Sequence, residues 1–208
     1  MVWKILGGIA GLVFVLVVIV LIAAAMQPDG YKVTRSAKIK APPAVVFAQV
    51  NNFHKWQAWS PWAKLDPAAK LTIDGAEEGV GAKYAWSGND NMGEGKMEII
   101  ESKPATKIAI RLEFIRPMAS VCPTEFAFQP EGDETVVTWT MSGKTEGLVN
   151  KAFCMFMDLD GMIGKDFDAG LAKIKEVAEK EAQAPAPMQS ADPTTVPPPG
   201  ENPPASDK

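Results

Sequence analysis

Residues 106–142 read TKIAIRLEFIRPMASVCPTEFAFQPEGDETVVTWTMS. Three runs in this stretch alternate apolar and polar side chains: Ile108, Ile110, Leu112 and Phe114, then Phe126 and Phe128, then Val137, Trp139 and Met141. A period of two is the signature of a strand with one buried face. Pro117, and then Pro130 with Gly132, separate the runs by only a few residues. Connections this short allow antiparallel neighbours and exclude the long crossovers that parallel pairing needs. The stretch therefore predicts three strands of an antiparallel meander.

The same reading extends upstream. Lys70–Asp74, Gly79–Ser87 and Met92–Ser102 are strand-sized and bounded by Gly75, by Gly88-Asn89 and by Pro104. With Thr106–Ile115, Pro123–Gln129 and Glu134–Ser142 they make six consecutive strands. Before them, Tyr31, Val33, Arg35, Ala37 and Ile39 alternate with Lys32, Thr34, Ser36, Lys38 and Lys40, which predicts a seventh. Ala41-Pro42-Pro43 ends that strand and opens a short helix over Ala44–Val50, since proline suits a first helical turn. A second short helix is expected over Asn52–Trp59, before Ser60-Pro61.

Downstream, Val149, Phe153, Phe156, Ile163, Phe167, Leu171, Ile174 and Val177 recur at helical spacing and predict one long amphipathic helix over Leu148–Glu181. Gly161, Gly164 and Gly170 are costly inside it and mark either a kink or close packing on the sheet. The expected fold is α+β: a curved, antiparallel seven-stranded sheet wrapped on a long C-terminal helix, in the order β-α-α-β6-α. Such a sheet must cover its apolar face, and the helix is its natural cover.

The two ends are different material. Ile5–Met26 holds no charge and is rich in Val, Ile, Leu, Ala and Gly. At 1.5 Å per residue it reaches across a hydrocarbon core of ~30 Å. A signal peptide is the alternative, and Ala23-Ala24-Ala25 resembles a cleavage site. Its apolar region would usually run about 7–15 residues, so an uncleaved anchor is expected. Lys4 precedes the span, whereas Lys32, Arg35, Lys38 and Lys40 follow it, a balance that points to a cytoplasmic domain. The last 25 residues carry eight of the chain's 17 prolines and favour extended, disordered chain, or a ligand for a proline-recognising protein. The expected organisation is an anchor over 1–26, one domain over 27–183 and a proline-rich tail over 184–208.

A formal net charge of −4 gives the chain no electrostatic footprint for nucleic acid. One histidine, His54, excludes multi-histidine metal sites. Two cysteines, Cys122 and Cys154, are too few for a disulfide framework or a four-cysteine zinc site, and free thiols are expected. Gly93-x-Gly95 enters a strand and lacks a following Gly-Lys-Ser/Thr, so it is not a phosphate loop. No metal or cofactor is implied.

With this element order on the page, the chain resembles the START-like superfamily with the helix-grip fold, also called the polyketide cyclase/dehydrase or SRPBCC group. Besides the order, four local matches carry the resemblance: Ala41-Pro42-Pro43-Ala44-Val45-Val46-Phe47, the aromatic segment Phe53–Trp62, Gly93-Glu94-Gly95, and Phe167-Asp168-Ala169-Gly170-Leu171. It covers about Tyr31–Ala182. It implies a deep apolar cavity for lipids, sterols, polyketides or hormones, in some members tethered to a membrane. It supplies no universal catalytic residues.

The residues expected to line such a cavity come from each element. Trp56 and Trp59 share a helical face and either stack on a ligand or pack the short helices on the sheet. Trp86, Met97, Phe114, Phe126 and Trp139 belong to strands, Phe153 and Met157 to the long helix. Asp160, at the edge of the helix's apolar stripe, would have a raised pKa if it faced the cavity, or else snorkels to solvent. Arg35 shares a face with Val33 and Ala37 and is a candidate cavity cation. His54 has no recognisable acid or nucleophile beside it.

Three functions compete. One is noncatalytic binding of a hydrophobic small molecule or lipid by a membrane-anchored domain. Another is a polyketide cyclase-like enzyme, weakened by the missing acid/base pair. The third is an envelope scaffold acting through its tail.

Overall fold

The computed structural model describes residues 2–145 and 147–184; the proline-rich stretch 185–208 lies outside them. Helix α1 (Val2–Ala25) is followed by strand β1 (Gly30–Ile39) and helix α2 (Pro43–Asn51). Two 3₁₀ segments, Phe53–Ala58 and Pro61–Lys64, come next. Strands β2 (Lys70–Gly75), β3 (Ala82–Ser87), β4 (Glu94–Lys103), β5 (Lys107–Arg116), β6 (Ser120–Glu131) and β7 (Glu134–Lys144) then run in succession. Helices α3 (Leu148–Met155) and α4 (Leu159–Gln183) close the chain's described part.

The strands form one antiparallel sheet in the order β1-β7-β6-β5-β4-β3-β2. The alternation that announced the strands now appears as alternating burial: every second residue of β7, from Thr135 to Gly143, is buried. Ile108, Ile110, Phe126, Phe128, Val137 and Trp139 turn inward onto α2 and α4, and with Val46, Val50, Leu171 and Ile174 they form the core. A fully buried aliphatic or aromatic side chain contributes about 1.5–3 kcal/mol, so this inner face dominates the domain's stability. This is the helix-grip arrangement.

Two expected elements take a different form. The segment after Asn52 is 3₁₀ rather than α-helical: Asn52 Oδ1 accepts from His54 N at 2.9 Å, and Pro61 starts a second 3₁₀ turn. The expected single C-terminal helix is two. Asp158 caps α4, its carboxylate accepting from Gly161 N at 2.8 Å, and the chain bends at 156–158 to free that cap. The stripe divides with it. Ile163, Phe167, Leu171 and Ile174 pack on the sheet, whereas Val149 and Phe156 are both 77 % exposed.

The glycines of α4 mark close packing, not a kink within it. A Cβ at Gly170 would lie 2.8 Å from Trp139 Cζ3, and one at Gly164 would collide with the Arg35 guanidinium. Farther along, α4 is clasped to β1 and α2. Glu179 accepts from Lys40 N at 2.8 Å, Lys175 Nζ donates to the Lys38 carbonyl at 2.9 Å, and Gln49 Nε2 donates to Glu181 at 2.6 Å.

The joint between α1 and the sheet is also held. α1 packs against α3, and Ala24 near the end of α1 is fully buried. Lys151 of α3 donates to the Gln27 carbonyl at 3.0 Å and pairs with Asp29 at 2.5 Å, which draws the Asp29 carboxyl below its ordinary pKa. Thr145 N donates to the Asp29 carbonyl at 3.0 Å.

Candidate functional site: an aromatic cleft between sheet and helix

A cleft of about 410 Å³ opens between the concave sheet face and the N-terminal half of α4. β3 contributes Tyr84 and Trp86, β4 Met97, β5 Leu112 and Phe114, and β7 Trp139 and Met141. Ile163 and Phe167 roof it from α4, while Trp56, Trp62 and Leu65 wall it from the segments that follow α2. Each strand residue here is on the inward parity of its strand, so the alternation that makes the sheet also aims these side chains at one space.

Its back wall is a stack of three rings. Trp139 lies parallel to Phe167 (centroids 3.9 Å, 6°) and is stacked on Phe126 (4.7 Å, 28°). Trp59 and Trp62 meet Trp139 edge to face at 5.9 and 5.8 Å. Most indole N–H groups nearby are satisfied within the protein. Trp56 donates to Val50 O at 2.9 Å, Trp59 to Gln49 O at 3.0 Å, Trp62 to Asp166 at 3.2 Å and Trp86 to Met92 O at 3.3 Å. Trp139 Nε1 is buried with no hydrogen-bond partner.

Polar groups are few. The Tyr31 hydroxyl lies 3.6 Å from Cys122 Sγ; burial, and then that thiol, raise its pKa. Burial also raises Tyr84, against the opposing hydrogen bond from Gln57 Nε2 at 3.2 Å. Both phenols therefore stay protonated at neutral pH and serve as hydrogen-bonding groups rather than bases. At the rim, Arg116 is already engaged: its Nε pairs with Glu94 at 3.2 Å and its Nη2 donates to Gly88 O at 3.0 Å. The arrangement favours burial of an apolar body with a few polar contacts at its edge.

Of the ten residues expected to line a cavity, Trp56, Trp86, Met97, Phe114 and Trp139 border the cleft. Trp59 and Phe126 lie behind it, fully buried in the core. The Phe153 side chain lies outside what the structure describes. Met157 and Asp160 border a separate depression of about 310 Å³ beside Gln27 and Lys151. Of the two alternatives for Asp160, the structure shows the solvent-facing one, so it does not line the cleft. Its side chain is 63 % exposed, and Arg35 grips it from Nη1 at 3.0 Å and Nη2 at 2.9 Å, which lowers its pKa. Arg35 reaches Asp168 as well, at 3.4 Å, and so ties β1 to α4 instead of entering the cleft. His54 is exposed. Trp62, from the same aromatic segment as Trp56, borders the cleft too, and Tyr31, Tyr84, Leu112, Met141, Ile163 and Phe167 do so without having been singled out.

The Arg35 clasp has a pH signature. Asp160 is held below its ordinary 3.8, so its stabilising contribution is complete above that pH and is lost as pH falls through the depressed value. Asp160→Asn is expected to lower the melting temperature at neutral pH and to flatten its decline in acid. Parallel melts of both proteins across the acid range check this; identical slopes would remove the clasp from the stability of the fold.

The profile of the polyketide cyclase / dehydrase and lipid transport family matches residues 31–179. The chain belongs to this family. The match spans β1 through nearly all of α4 and so contains the whole cleft. Solved structures similar to this polyketide cyclase/dehydrase-type domain share its fold. The Aha1 dimer of Colwellia psychrerythraea aligns with a TM-score of 0.52 at 15 % identity, over 72 % of this chain and 96 % of that one. A protein of Nitrosospira multiformis aligns at 0.53 and 20 % identity, over 74 % of this chain and 100 % of its own. Another, from Mesorhizobium loti, aligns at 0.53 and 14 % identity, over 72 % and 98 %. No curated protein matches the chain in sequence.

Proposed function

We propose that this domain binds a hydrophobic small molecule or lipid in the cleft between the sheet and α4, without chemistry, while α1 anchors it in a membrane. One observation carries the reading: about 410 Å³ of space walled by Trp86, Phe114, Trp139, Phe167 and aliphatic side chains. Ligand pockets of about 300–1,000 Å³ with mostly apolar walls bury most of a small molecule's surface. The polar groups at the cleft support orientation more than proton transfer, because both tyrosines are held neutral and Arg116 is engaged by Glu94. For the anchor, Leu6–Ala25 is long and apolar enough to cross a bilayer, and little of it is covered by protein. Lys32, Arg35, Lys38 and Lys40 follow this span against Lys4 before it, a balance that favours the cytoplasmic side.

The test is native mass spectrometry of the full chain, purified in detergent and exposed to a total lipid extract. A retained mass of one chemical class is expected. Leu112→Trp, which fills the cleft from β5, is expected to weaken that retention about ten-fold or more, the effect of losing ~1.4 kcal/mol of binding. A parent protein that folds yet stays free of extract components, or a Leu112→Trp variant that retains them as the parent does, would overturn the reading.

A further inference from the structure

Antiparallel register puts one end of the molecule beside the exit of α1. β1 begins at Gly30, immediately after the helix, and pairs there with Lys144 at the end of β7. By the same alternation the first residues of β6, the last of β5 and the first of β4 share that end, where Phe114 faces Ser120 and Glu94 faces Arg116. The β5–β6 turn, Arg116 and Pro117, borders the cleft from this end, as do Met92 and Gly93. α4 starts at this end too, since it meets Arg35 near its beginning and Lys40 near its finish.

Large apolar side chains are exposed at this end. Around the bend between α3 and α4, Val149 of α3 and Phe156 at the bend are 77 % exposed and Met162 of α4 58 %; Met118 in the β5–β6 turn is 70 % exposed. No covering element of the described chain lies over them. The opposite end, by contrast, turns through Glu131-Gly132-Asp133-Glu134 and through Lys103 and Lys107, with Lys38 paired to Glu131. The α1 joint is braced by Lys151 on Gln27 and Asp29 and by the packing of α3 on α1, so the exposed bend is held beside the span rather than free to swing.

We propose that the α3–α4 bend is a foot that rests in the bilayer surface from which α1 emerges, with Val149, Phe156 and Met162 in its apolar layer and the rim of the cleft turned to the lipid. This rests on the reading of α1 as a membrane span, and it deepens the binding proposal by making the leaflet the source of the ligand. What selects a bilayer over another occupant is continuity: the same short helix that carries Val149 is packed on the span itself. An exposed apolar helix face adjoining a span gains burial by lying in the interface. A cleft whose rim meets acyl chains exchanges lipids without carrying them through water.

The experiment places the photocrosslinker p-benzoylphenylalanine at Phe156, at Val149 and, as a water-facing control, at Asp133, in the full chain reconstituted in vesicles of phosphatidylcholine with a minority of phosphatidylglycerol. Phe156 and Val149 are exposed, so neither replacement disturbs the core. Lipid adducts at both sites are expected to exceed those at Asp133 by about ten-fold or more, because only the former lie at the hydrocarbon boundary. Alkaline extraction of the same vesicles separates the two readings. Protein that stays with the vesicles but gives no excess lipid adduct at either site overturns the foot and leaves the anchor standing. Protein released by alkali overturns the anchor and the foot together. Adducts to a second copy of the chain instead of to lipid also overturn the foot.

Discussion

Trp59→Ala is expected to destabilise the domain by about 3–5 kcal/mol, the range for removing a large aromatic side chain from a packed core. Trp59 is 1 % exposed and central to the aromatic cluster, meeting Trp56 at 4.5 Å, Trp139 at 5.9 Å and Phe126 at 6.3 Å. The space left is sealed on all sides, behind the cleft rather than in it, so it collapses poorly. The Gln49 carbonyl also loses its indole donor, and a buried acceptor left alone adds to the cost. For a domain of this size the loss corresponds to a fall of about 10 °C in Tm. Thermal melts of the full chain in detergent measure it; a Tm within about 2 °C of the parent would mean that the neighbouring rings close the gap.

Phe167→Ala is expected to cost a comparable amount, about 3–5 kcal/mol, but with a second consequence that separates it from Trp59. Phe167 is buried on the sheet yet borders the cleft, stacked 3.9 Å from Trp139. Its removal joins the vacated volume to the existing cleft and bares one face of Trp139. The enlarged cleft is expected to retain bulkier apolar molecules from the same lipid extract, read as a shift of the retained mass in native mass spectrometry. A destabilised variant whose retained species are unchanged would show that ligands, where they bind, do not reach the back wall.

The contrast between these two residues shows how far the amino-acid pattern reads through to the site. Period-two alternation marks β1, β5, β6 and β7 and their inward residues, because a strand's face is set by parity alone, while β2, β3 and β4 are legible as strand-sized runs between turn residues. It does not distinguish an inward residue packed solid from one beside open space. Phe126 therefore reads the same as Trp86 and Trp139, and Tyr31, Leu112 and Met141 share their parity; Trp59 is read from its helical spacing to Trp56, which is equally blind to open space. The bend before α4 was hidden by apolar spacing that continues across it, through Phe153 and Phe156 to Ile163. Its local signal was present: Asp158 before Leu159, with Asp160 in the first turn, is a helix N-terminus in chemistry and charge. Val149 and Phe156 fit a helical stripe but not the sheet, since α3 lies on α1 instead. Which way Asp160 faces is not legible because its partner, Arg35, is 125 residues away and becomes its neighbour only when α4 lies along β1.

The pairing of β1 with β7 also dictates an order of events during synthesis. β1 leaves the ribosome directly after α1, yet its hydrogen-bonding partner, Thr135–Lys144, is made about a hundred residues later. Until then β1 waits with its backbone donors and acceptors unsatisfied, next to the membrane surface if α1 has already inserted. Closing so long a loop is entropically modest but slow to search. A chain stopped anywhere before β7 therefore has no way to finish its first strand, and the domain forms only after nearly all of it has been translated.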